Sequence, residues 1–209
     1  MNYTTLPLFS YPIHVSEGRS PTEEVLEFAR NLEYKFHERG KFHISTDTYV
    51  LNLEELKDTR DLLQLHLNEY VHSVLGVDSR HEIYFTNSWI VKYSKGSYAG
   101  THKHTNSCFS GTYYLNTPED DDSEFIIYNP NSYNIFPVQF QPVINHYNIF
   151  NSTHWSLKPK KGNIFLWPSA LDHSVSPITS NEERIMLAFN AYIKGDFSVD
   201  PINVDHLIL

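Results

Sequence analysis

The apolar positions of the chain change period part-way along. Between residues 20 and 76 they recur every three or four positions, the spacing of helices with one buried stripe. Ser20, Pro21 and Glu23 form an S-x-x-E capping box with proline at the first helical position. Val25, Phe28, Ala29, Leu32 and Phe36 follow as the apolar face of a predicted first helix. A second is predicted from Asn52, with Glu55 three residues on. Leu56, Leu63, Leu67, Tyr70 or Val71, and Val74 carry its apolar face until Gly76 stops it. After about residue 80, short β-branched and aromatic runs alternate with Gly, Pro, Asn and Asp, which predicts strands. They are placed at 82–93, 97–104, 109–115, 124–128, 135–140, 146–150, 163–167, 172–176 and 184–193. Many short strands without intervening helices predict an antiparallel sandwich or barrel, one face of it covered by the leading helices.

Composition narrows the function. The 209 residues include 16 basic and 25 acidic side chains, a net charge of −9, which argues against nonspecific nucleic-acid binding. Hydrophobic residues at 40 % supply a packed core and exclude disorder as the main description. Cys108 is the single cysteine, so no intrachain disulfide and no cysteine-based metal cluster can form. The N-terminus lacks a basic segment followed by an apolar run, and no stretch is long and apolar enough for a membrane span. A cytoplasmic protein is predicted. No linker and no internal repeat divides the chain.

Twelve histidines stand out, although such abundance weakens any single pairing. His102 and His104 are two apart on a predicted strand, where side chains share a face roughly 7 Å apart. Both could converge on one metal or be ordinary polar strand residues. His173 follows the apolar run Ile164–Trp167 and the strand-breaking Pro168. Two donors on one strand and a third far along the chain suit a facial triad with open positions, as non-haem Fe(II) oxygenases use. Residues 184–191 alternate, so that Arg184, Met186, Ala188 and Asn190 face one side and Ile185, Leu187, Phe189 and Ala191 the other. An arginine on so apolar a strand calls for a carboxylate, either a protein Asp or Glu or a ligand's.

Taken together, W-x-V-x-Y-x-x-G at Trp89–Gly96, H-x-H-x-N-S followed by SG-x-YYL, W-P-S-x-x-x-H-S-V and E-R-x-x-x-x-F-N carry a resemblance. The segment 89–193 resembles the 2-oxoglutarate and Fe(II)-dependent dioxygenase superfamily, most closely a group of 2OG-Fe(II) oxygenases of bacteria and tailed phages. The resemblance implies a double-stranded β-helix, or jelly-roll, core at 81–195, supported by a helical region at 1–80 and followed by a tail at 196–209. It implies that His102, His104 and His173 are the iron ligands, His104 standing where most of the superfamily has Asp. Arg184 would pair with the distal carboxylate of 2-oxoglutarate, and Tyr93, Ser107, Ser110 and Tyr114 are further candidates for orienting that cosubstrate. Fe(II), 2-oxoglutarate and O2 are the implied cofactor and cosubstrates, succinate and CO2 the implied products. A neutral amide in place of Arg184 is expected to leave the fold intact and weaken cosubstrate binding.

Two rivals share these residues. One is a cupin-like three-histidine dioxygenase that uses no 2-oxo acid; the other is a non-enzymatic jelly-roll binding or virion-associated module. The sequence does not disclose the substrate and leaves protein side chains, small metabolites and sugars open. Phe165, Trp167 and Met186 are expected to line the site or simply to pack the core. The acidic run Glu119–Asp122 reads as a solvated hairpin tip. Residues 128–151, rich in Asn, Tyr and Phe, read as loops between strands, and no matched motif supports His146 or His154 as a ligand.

Overall fold

A computed structural model describes residues 2–8, 10–131, 143–197 and 207–209. The elements run β1 (His14–Ser16), α1 (Glu23–Asn31), β2 (Tyr34–His37), β3 (Phe42–Ser45), α2 (Lys57–Asn68) and β4 (Glu82–Tyr93). There follow β5 (Ala99–His102), β6 (Phe109–Asn116), β7 (Phe125–Tyr128), β8 (His154–Leu157), β9 (Ile164–Pro168), β10 (His173–Val175) and β11 (Arg184–Lys194).

Helix α1 starts two residues later than the capping box predicts. Its N-cap is Thr22, whose hydroxyl accepts the Val25 N–H at 3.4 Å, and Glu23 and Glu24 occupy the first turn where the helix dipole favours acids. Leu32 is already extended, so Phe36 belongs to the edge strand β2 and is exposed, while Leu26 and Ala29 form the buried stripe. Two 3-10 turns, Val50–Asn52 and Glu54–Leu56, lead into α2. A π-helical stretch, Glu69–Val74, extends it to Gly76, which adopts φ +70.

Two antiparallel sheets face each other. The larger has the order β1-β9-β6-β11-β4-β3-β2 and the smaller β5-β10-β7-β8. Among the described residues the sheets remain separate, without closure into a barrel. The first 80 residues therefore supply three strands of the larger sheet as well as the helices.

Alternation on β11 divides the interior into two cores. Ile185, Leu187, Phe189 and Ala191 pack with Leu63, Leu67, Tyr70 and Val71 of the helical layer. Met186 and Ala188 pack between the sheets with Val91, Tyr114, Phe125 and Trp167. Glycine at 111 is required by this packing, since a Cβ would lie 2.3 Å from the Phe189 ring and 2.6 Å from Leu166.

One predicted strand among the described residues does not appear as such. Residues 146–150 form turns because asparagine side chains take the backbone donors: Asn148 Oδ1 accepts the Phe150 N–H and Asn151 Oδ1 accepts the Asn148 N–H, both at 2.8 Å. The strand predicted at 135–140 lies outside the described residues. Conversely β8, which pairs with β7, was not predicted.

Candidate metal centre and active-site cavity

Strands β5 and β10 pair so that His102 stands opposite His173. Their ring centroids are 4.3 Å apart, and His104, two residues beyond, is 5.4 Å from His102 and 5.1 Å from His173. One ring nitrogen from each residue lies within 4.8 Å of the other two. That spacing suits three donors to one ion.

The local chain holds these rings in a usable state. His102 Nδ1 donates to the Gly100 carbonyl at 2.7 Å and His173 Nδ1 donates to the Leu171 carbonyl at 3.0 Å. Each Nε2 is thereby left with a free lone pair, the outer-sphere arrangement typical of metal-binding imidazoles. His104 is fixed by its backbone N–H on the Ser169 carbonyl at 3.0 Å and by stacking on Trp89, and the Asn190 side chain acts on it to raise its pKa, opposing the effect of burial. Burial, reinforced by the neighbouring imidazoles, lowers His173 to about 3 and His104 to about 4. Both rings are neutral at pH 7, as a ligand must be.

Asn190 is itself braced. Its Nδ2 donates to Asn87 Oδ1 at 3.0 Å, and its Oδ1 accepts from Ser110 Oγ at 2.8 Å. Ser110 and Ser107 each lie 2.8 Å from Ser169 Oγ. The two serines therefore sit in a hydroxyl network behind His104, which is a bracing position. No sequence motif marked Asn87, whereas Ser169 and Asn190 lie within the quoted W-P-S and F-N motifs and the alternation of β11 puts Asn190 on the site face.

A cavity of about 570 Å3 opens in front of the histidines. Trp89, Tyr93, Phe125, Trp167, Met186 and Ala188 form much of its wall. Phe165 instead packs in the core behind it. Two buried polar atoms of the wall, Thr112 Oγ1 and Trp167 Nε1, have no hydrogen-bond partner among the described residues. Sequence reasoning missed Thr112 and took Trp167 as purely apolar.

Arg184 lies beyond this wall, fully buried. Its Nη2 pairs with Asp121 Oδ2 at 2.7 Å and donates to the Ser123 carbonyl at 3.0 Å. Among the described residues Nε and Nη1 have no partner, nor has the hydroxyl of Tyr114, whose ring centroid is 5.8 Å from the guanidinium carbon. Tyr93 stands opposite Arg184 in the β4–β11 register, and burial pushes both tyrosine hydroxyls up, so they stay protonated donors. Burial pushes Asp121 up, but the Arg184 guanidinium and the Thr179 and Ser123 N–H groups outweigh it and hold this carboxyl below its ordinary range.

Two expectations change here. The acidic run is solvated at Glu119, Asp120 and Asp122 but not at Asp121, which is fully buried because Arg184 needs a counter-charge. For the same reason a neutral residue at 184 would strand a buried carboxylate and cannot leave stability untouched. His146 and His154 are exposed and outside the cluster.

Residues 87–190, which contain the three histidines and Arg184, match the family described as "Putative 2OG-Fe(II) oxygenase". The chain belongs to the 2OG-Fe(II) oxygenases. It is an enzyme of the non-haem class that takes Fe(II) as cofactor and 2-oxoglutarate as cosubstrate. No curated protein matches the oxygenase by sequence. Solved structures share its fold. A prolyl-4-hydroxylase of Pseudomonas putida is 15 % identical at TM-score 0.53, over 88 % of this chain and 94 % of that one. HygX of Streptomyces hygroscopicus, solved with nickel, 2-oxoglutarate and hygromycin B, is 13 % identical at TM-score 0.58, covering 87 % and 82 %. A prolyl hydroxylase of Trichoplax adhaerens, in complex with a hypoxia inducible factor peptide fragment, is 12 % identical at TM-score 0.58, covering 86 % and 83 %. Among the described residues of the oxygenase, no helix is long and apolar enough to cross a membrane.

Proposed function

We propose that this oxygenase hydroxylates its substrate at a centre held by His102, His104 and His173, with Arg184 receiving the distal carboxylate of 2-oxoglutarate. The observation that carries the reading is the juxtaposition of three imidazoles with a separate set of donors that are unpartnered among the described residues, on the same side of the larger sheet. When bound, Fe(II) and 2-oxoglutarate supply an oxidation that consumes O2, releases succinate and CO2, and places one oxygen atom on a substrate carbon.

The residues around the centre divide the remaining work. The three imidazoles provide neutral donors and leave coordination positions for small ligands. Arg184 keeps Nε and Nη1 for an incoming carboxylate while Asp121 and the Ser123 carbonyl hold Nη2, so the guanidinium is oriented before any ligand arrives. Thr112 Oγ1, Trp167 Nε1 and Tyr114 OH add donors whose isolation costs about 1–3 kcal/mol each until a ligand accepts from them. Met186, Phe125 and Tyr93 limit water beside the centre. The surrounding frame is a double-stranded β-helix at 81–195, supported by residues 1–80 as part of one domain. Substrates of the HygX kind (a small molecule) and of the prolyl hydroxylase kind (a peptide) are the two precedents among structures sharing the fold.

Anaerobic loading with Fe(II), addition of 2-oxoglutarate and exposure to O2 should form succinate in step with the iron bound. Succinate formation independent of Fe(II), or none with iron bound, would contradict the assignment.

A further inference from the structure

The cavity wall has a charge bias that the chain as a whole does not share. The protein carries 25 acidic side chains against 16 basic ones, yet no Asp or Glu among the described residues lines the cavity. Glu38 and Asp172 are sequence neighbours of lining residues but are not themselves in the wall. Two cations are: Arg39 and Lys103 both line the cavity and both are exposed, which places them at its open end. Neither side chain has an ion-pair or hydrogen-bond partner among the described residues, whereas many other cations of the chain do.

Their placement is built into the fold. Arg39 sits on the β2–β3 turn beside Gly40, whose carbonyl accepts the Tyr98 N–H at 3.0 Å and whose own N–H donates to His37 Nδ1 at 3.3 Å. A Cβ at position 40 would lie 2.4 Å from the Tyr98 carbonyl oxygen, so only glycine lets this turn dock on the loop before β5. Lys103 is held between His102 and His104. Below these cations the wall becomes aromatic, with Phe42, Trp89, Tyr93, Tyr98 and Trp167.

From this distribution we infer that the substrate is a small organic anion, its acid group held at the mouth by Arg39 and Lys103 and its apolar body lying along the aromatic wall. The inference rests on the iron and 2-oxoglutarate reading above, and that reading strengthens it. Three neutral imidazoles leave Fe(II) with dianionic 2-oxoglutarate at +2 − 2 = 0, whereas an Asp at position 104 would give −1 and repel a second anion. A volume of about 570 Å3 is within the range for small-molecule ligands.

The test uses the full chain loaded with Ni(II) and saturating 2-oxoglutarate, with 3-phenylpropionate, 4-phenylbutyrate and their primary amides titrated calorimetrically. At least one acid should bind about tenfold or more tightly than its amide. The Arg39→Gln/Lys103→Gln double variant should erase that preference, while Lys160→Gln, which removes a cation outside the cavity, should retain it. An absent preference in the wild type, a preference that survives in the double variant, or no binding below about 1 mM by any acid overturns the inference. If the double variant loses affinity for 2-oxoglutarate and keeps the preference, the cations serve the cosubstrate and the substrate assignment is overturned. Failure to take up Ni(II) at all overturns the metal assignment and this inference with it; uptake without a preference for the acid overturns this inference alone.

Discussion

The two faces of the larger sheet are made by the same strands and differ in how their polar groups are satisfied. On the helix-covered face the buried polar groups are bonded: Ser88 Oγ accepts the Leu51 N–H at 2.9 Å, Tyr70 donates to the Pro12 carbonyl at 2.8 Å, and Tyr113 donates to the Arg19 carbonyl at 2.6 Å. On the face toward the smaller sheet, Thr112 Oγ1, Tyr114 OH, Trp167 Nε1 and two nitrogens of Arg184 have no partner among the described residues. Unmet donors in a buried site cost free energy that the apolar face must offset. One face therefore secures the fold and the other is organised for ligands, with β11 contributing alternate residues to each.

The largest break in this division should come from His173→Ala. Removing one of three donors is expected to abolish turnover and weaken Fe(II) binding by about 100-fold or more, measured by anaerobic titration. Unchanged metal content after dialysis would remove His173 from the centre. Arg184→Gln, on the site face, should lower both stability and cosubstrate affinity. It strands Asp121 in the interior, costing about 3–5 kcal/mol in urea denaturation, and it also weakens 2-oxoglutarate binding. Adding Asp121→Asn should restore much of the stability and none of the cosubstrate affinity. Full recovery of both would make Arg184 purely structural.

Leu187→Ala, on the helix-covered face, is expected to cost about 2–5 kcal/mol while the folded fraction binds Fe(II) as the wild type does. Altered metal affinity there would mean that the faces are energetically coupled. A smaller effect follows from pH. His104 and His173 titrate at about 4 and about 3 when folded, against an ordinary 6.5, so the metal-free folded state binds fewer protons than the unfolded one. Stability is complete above pH 6.5 and is lost as pH falls through that window toward 4 and 3. Asp121, held below its ordinary 3.8, adds a loss of the same sign at the acid end. The urea midpoint should fall between about pH 7 and 5, with a shallower fall in His173→Ala; identical profiles would contradict the buried neutral state.

What could be read from the chain follows the same division. The alternation along residues 184–191 predicted which side chains enter each core, because a period of two on a buried strand leaves no other arrangement. β4 was legible to the residue for a similar reason, being long and flanked by turn residues. Strands β1–β3 were not, since strands of three and four residues carry too few positions for a period to show. The histidines that the sequence singled out are brought together by the β5–β10 register. Asp121 was hidden by its neighbours: an acid among three solvated acids shows no sign of burial until its partner arginine is placed beside it. Ser107 and Ser110 were visible as polar residues near the motif, but which hydroxyls they bond depends on Ser169, about 60 residues away in sequence.

The centre itself is tested most directly at His104, where this chain has imidazole and most of the superfamily has carboxylate. Anaerobic Fe(II) affinity measured side by side for the wild type, His104→Asp and His104→Ala should show binding kept in the Asp variant and weakened by about tenfold or more in the Ala variant. Full wild-type affinity in His104→Ala would contradict a three-histidine centre.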